Sequence, residues 1–113
     1  MATVTADNTK QLRIQTGVVK RVAKEKVVYL KELEINTAKV EKIRESGGDE
    51  SQIKYAVAIL DETKNVIPDT EKRLLEGYLT LEQLVKSSED RQDTTEYKDA
   101  VEVLATSKPL LPV

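Results

Sequence analysis

Alternating steps of three and four residues from Leu12 reach Gln15, Val19, Val22, Lys26, Tyr29, Leu33, Asn36, Val40 and Ile43, and seven of these ten positions are apolar. Residues so spaced lie on one face of an α-helix, so the pattern predicts a long helix packed against others. Asn8 with Gln11 three residues later reads as a capping box, and the paired glycines of "ESGGDES" break the run. The first helix is therefore expected over 9–46, with 1–8 frayed ahead of it.

A second stripe follows the glycines at Ile53, Val57, Leu60, Lys64, Ile67, Glu71, Leu74, Tyr78, Leu81 and Val85, with Asp49 and Gln52 as its capping pair. Pro68 interrupts it, but the stripe keeps its phase on both sides of the ring. A helix over 50–87, kinked at Pro68 and not stopped there, is the expectation. Gly77 weakens its interior by about 1 kcal/mol relative to alanine. "KSSEDRQDTT" has no apolar residue and reads as a connection. Asp93 and Glu96 then pair as a third cap before Tyr97, Val101 and Leu104, which predicts a short helix over 94–107. Pro109 and Pro112 make 108–113 a loose tail. The whole reads as one all-α domain, 1–113, an elongated, coiled-coil-like, up-down-up three-helix bundle. Lys26 and Asn36 are expected where the short third helix leaves the seam uncovered.

Composition narrows the chemistry. Charged residues make up 34% of the 113 residues and aromatics 4%, all tyrosine, so the core must be aliphatic. With no cysteine and no histidine, disulfides and thiolate or imidazole metal sites are excluded, and the usual proton shuttle is missing. The glycines have neither Walker nor dinucleotide spacing, and "GGDES" lacks the alternating carboxylates of a calcium loop. Pairs such as Glu32 with Glu34 or Asp61 with Glu62 read as solvated faces. No catalytic residue, cofactor site or metal site is expected, and the chain is read as a non-enzyme. No apolar run reaches the length of a membrane span, no signal segment is evident, and Asn8, Asn36 and Asn65 all lack a glycosylation context, so a cytoplasmic protein is expected.

Net charge is only −2, but it is unevenly spread. Lys10, Arg13, Lys20, Arg21, Lys24, Lys26 and Lys31 face a single acid, Glu25, over Lys10–Lys31, giving about +6 locally and −8 elsewhere. Nucleic-acid binding is disfavoured by the acidic total and by the lack of stacking aromatics. Membrane-surface binding is disfavoured because the apolar face opposite the lysines is claimed by packing. Protein binding remains. Ile14, Val28 and Ile35 recur at multiples of seven, with Arg21 and Lys42 in the same column, away from the Leu12 stripe. They form a mixed apolar and basic strip that core packing does not need.

Two stretches carry a family resemblance. "LRIQTGVVKRVAKEKVVYLKE" resembles the opening helix of the tubulin-folding cofactor A family, and "LDETKNVIPDTEKRLLEGYLTLEQL" resembles its middle helix, with Ile67, Pro68, Asp69, Arg73 and Leu74 in the motif. "EYKDAVEVL" falls where the family has its last helix, so the likeness spans roughly residues 11–106. The chain departs from the family at Asn65 and Val66, where relatives have methionines, and at Gly77, where they have alanine. The resemblance implies a three-helix bundle that captures newly folded β-tubulin after chaperonin release and holds it for α/β heterodimer assembly. It also implies exchange with other tubulin-folding cofactors, no bound nucleotide and a cytoskeletal setting. Lys20, Arg21, Lys24, Val28 and Asp69 are the expected partner-binding positions, on a monomer or weak homodimer. The competing reading is a structural coiled coil that self-associates along the Leu12 to Ile43 seam.

Overall fold

A computed structural model describes the backbone of residues 2–112 and the side chains of 8–112. Met1 and Val113, at the outer ends of the segments expected to be frayed and loose, lie outside the described residues. The chain is all-α. Among the described residues there are three helices, α1 (Ala2–Glu45), α2 (Glu50–Lys86) and α3 (Thr95–Ser107), and no strand. Short 3₁₀ turns occupy Glu89–Arg91 and Lys108–Leu110. Where the sequence suggests one domain, chain contacts group into two compact units. One contains the chain up to Lys24 and from Glu71 onward, and the other is Glu25–Thr70.

The first unit joins the early part of α1, the late part of α2 and all of α3. Its core is Leu12, Val19, Val22 and Ala23 from α1, Leu74 and Leu81 from α2, and Ala100 from α3. Complete burial of side chains the size of Leu12, Leu74 and Leu81 stabilises by about 1.5–3 kcal/mol each. On α3 the inward face is Tyr97, Ala100, Val103, Leu104 and Ser107. Val101, expected inside, is 43% exposed, because Ala100 takes the close position at 0%. The cap of α3 also moves by one residue: Thr94, in extended conformation, accepts a hydrogen bond from Tyr97 N, displacing the expected Asp93 pair. Leu110 and Leu111 pack against the core, so the segment read as a loose tail is anchored by its two leucines up to the described end.

The second unit is a helical hairpin built from the rest of α1 and the start of α2. Val40, Ala56 and Leu60 form its small core, with Leu33, Ile43 and Val57 against them. Its turn follows from the glycines. Gly47 takes φ +75, its N–H donates to Arg44 O, and Gly48 N–H donates to Ile43 O at 2.9 Å, so the last carbonyls of α1 are satisfied in a Schellman arrangement. Asp49 and Gln52 then form the expected reciprocal box: Gln52 N–H donates to Asp49 Oδ1 at 2.8 Å and Asp49 N–H to Gln52 Oε1 at 3.1 Å.

The Asn8–Gln11 pair does not start α1, which begins at Ala2. No proline or glycine precedes Gly17, so nothing halts the helix at Asn8. Helix α2 runs through Pro68 as one helix, consistent with the continuous phase of its stripe. Every position of the α1 stripe is buried or half-buried. Lys26 is 7% exposed, so it does not lie on an uncovered seam. Asn36 is held across the hairpin, its Nδ2 donating to Thr63 Oγ1 at 2.9 Å.

Candidate partner-binding surface

In the first unit the core side of α1 carries Leu12, Val19, Val22 and Ala23. At 3.6 residues per turn, Arg21 and Lys24 lie on the opposite side and Lys20 on its flank toward α3, and all three are exposed. Arg13 and Ile14 share that exposed side, Ile14 at 53%. Gly17 supports the arrangement. A Cβ built there would stand 3.9 Å from Arg21 Nη1, so the guanidinium lies back over a position with no side chain. Among the described residues, Lys20, Arg21 and Lys24 form no ion pair.

A groove of about 390 Å³ runs between this part of α1 and α3, lined by Arg13, Thr16, Gly17, Lys20, Thr95, Glu96 and Asp99. One wall is basic and the other acidic, so Lys20 feels opposing charge at a distance. Arg21 and Lys24 do not line it. Their charge faces solvent, the arrangement that speeds encounter with an acidic surface.

In the second unit Val28 is 45% exposed on α1, among Val27, Leu30 and Ile35 at 40–49%. Asp69 is exposed on α2 beside Pro68. The structure therefore brings Lys20, Arg21 and Lys24 together on one helix face, and places Val28 and Asp69 on different helices of the other unit.

A further surface was not read as a site from the sequence, although Asn36 and Ile43 of the α1 stripe and Lys42 of the mixed strip contribute to it. It is a groove of about 510 Å³ in the second unit, lined by Asn36, Lys39, Lys42, Ile43, Ser46, Gly48, Gln52, Tyr55, Ala56 and Ile59. Tyr55, 71% exposed in a chain with few aromatics, is a further sequence feature that hints at it.

Comparison with known proteins places this helical architecture in a defined class. The family model described as Tubulin binding cofactor A matches residues 7–104, and the chain belongs to that family. Tubulin-specific chaperone A of Homo sapiens is 41% identical over 99 residues, covering 88% of this chain and 92% of that one. The solved structure of human tubulin chaperone cofactor A matches with a TM-score of 0.80 at 39% identity, over 89% of this chain and 98% of that chain. The crystal structure of tubulin folding cofactor A from Arabidopsis thaliana matches with a TM-score of 0.85 at 28% identity, over 92% and 98%.

Proposed function

We propose that this chain is a tubulin-folding cofactor that captures newly folded β-tubulin after its release from the cytosolic chaperonin and passes it on for α/β heterodimer assembly. The observation that carries the reading is family membership over residues 7–104, in a chain whose first helix presents exposed cations at Lys20, Arg21 and Lys24 with no ion-pair partner among the described residues. Lys20, Arg21 and Lys24 steer and seat the acidic partner, and Val28 and Asp69 add contacts from the second unit.

The mode of action is binding without chemistry. A cofactor that holds one state of its partner stabilises that state by mass action, by about 2.7 kcal/mol when its free concentration is a hundredfold above Kd. No nucleotide is used. The cofactor acts in the cytoplasm as a monomer or weak homodimer, and meets other tubulin-folding cofactors only through the tubulin they exchange.

Co-purification tests this. The folded chain is expected to retain free β-tubulin from a mixture of separated subunits and to leave α-tubulin in the wash, with or without added nucleotide. Equal retention of both subunits, or of neither, refutes the proposal.

A further inference from the structure

We infer that the groove in the Glu25–Thr70 hairpin is a second binding site, fitted to an acidic peptide segment that carries an apolar side chain. The argument uses only this unit and does not depend on the β-tubulin reading. The hairpin holds two helical segments, and its core amounts to Val40, Ala56 and Leu60 with three flanking aliphatics. Two helices cannot enclose the seam between them. Along that seam lies the groove, with a volume within the range of ligand pockets.

Its chemistry selects the occupant. The floor is apolar, from Ile43, Ala56 and Ile59, and Tyr55 stands on the rim at 71% exposure, a residue type favoured as a rigid contact anchor. The charged side chains in the lining are Lys39 and Lys42, with no carboxylate among them, and neither lysine forms an ion pair among the described residues. An apolar floor beside two lysines matches an aliphatic side chain flanked by carboxylates. A second copy of this chain is a poorer fit, because in a self-complementary contact through this face the groove lining offers Lys39 and Lys42 no carboxylate to pair with.

The test is a fluorescence anisotropy titration of the full chain with a fluorescein-labelled peptide of glutamates around one leucine, beside the same peptide with glutamine in place of glutamate. The acidic peptide is expected to bind, and the glutamine peptide to bind severalfold more weakly, as loss of two rim charge pairs implies. The double variant Lys39→Glu/Lys42→Glu is expected to lose at least about tenfold in affinity, and Tyr55→Ala, at an exposed position, severalfold. Both variants should keep the helical circular dichroism of the parent. Lys20→Glu/Arg21→Glu should leave peptide binding unchanged. Equal binding of the two peptides, no binding of either, or a dimer in sedimentation that Tyr55→Ala dissolves overturns the proposal.

Discussion

Gly77 shows how one residue can sit below its local optimum. It lies buried inside α2, where glycine loses more backbone entropy than alanine. A Cβ there would meet Val19 Cγ2 at 3.5 Å and Gln15 Nε2 at 3.6 Å, which is ordinary contact, and Gln15 Nε2 would keep its 3.1 Å bond to Gly77 O. Gly77→Ala is therefore expected to stabilise the chain by about 0.5–1 kcal/mol, read as a higher midpoint in urea; a lower midpoint would show the contact to be too tight. Asn36 is the opposite case. Its amide is held by Thr63 Oγ1, whose own hydroxyl donates to Ile59 O at 3.1 Å, so the pair is a satisfied polar link across the hairpin. Removing it with Asn36→Ala should cost about 1 kcal/mol in the same titration, and no change would mean that solvent replaces the bond fully. The sequence stripe identified Asn36 as an interruption but could not identify its partner, because Thr63 is neither apolar nor in the predicted column.

At the level of the element, α1 was legible and α2 only partly so. Seven of the ten α1 stripe positions are full-sized apolar residues, and the buried face follows the predicted positions. On α2 the buried face runs through Ala56, Leu60, Thr63, Thr70, Leu74, Gly77 and Leu81, while Lys64 of the predicted stripe is exposed. Ala56, Thr63, Thr70 and Gly77 recur every seven residues, and small side chains let facing layers interdigitate. Hydrophobic periodicity overlooks such a column because threonine and glycine do not score as apolar. The threonines tolerate burial because each donates to its own helix: Thr63 to Ile59 O and Thr70 to Val66 O at 3.0 Å. The end of α1 and the start of α2 were readable because glycine and the Asp49–Gln52 spacing have specific backbone meanings. Gly48 is the strictest position there. An added Cβ would run into Ile43 Cγ2 and stand 3.0 Å from Ile43 O, so Gly48→Ala is expected to destabilise by about 1–3 kcal/mol. Thermal unfolding followed by circular dichroism measures this, and an unchanged midpoint would mean that the turn relaxes without cost.

Over the whole molecule, charge was the feature most readable from sequence. Helix periodicity alone assigns Arg21 and Lys24 to the side away from the Leu12 stripe and Lys20 to its flank, and the structure leaves all three exposed. The acidic wall at Glu96 and Asp99 was not readable, since only the packing of α3 brings it opposite Arg13 and Lys20. The groove beside Tyr55 was hidden for the same reason: Asn36 and Ile43 belong to the α1 stripe, but only the packing of the hairpin sets them beside Tyr55 and Ile59, which the α2 stripe does not contain. No described helix is long and apolar enough to cross a membrane. The tubulin-binding account depends most on the cationic face of α1. Its most direct test compares capture of free β-tubulin by the parent chain and by Lys20→Glu/Arg21→Glu, with helical circular dichroism recorded for both. The account predicts a loss of at least about fivefold in affinity with helicity intact, and a smaller difference at high salt, where surface charge is screened. Equal capture by the two proteins would contradict it.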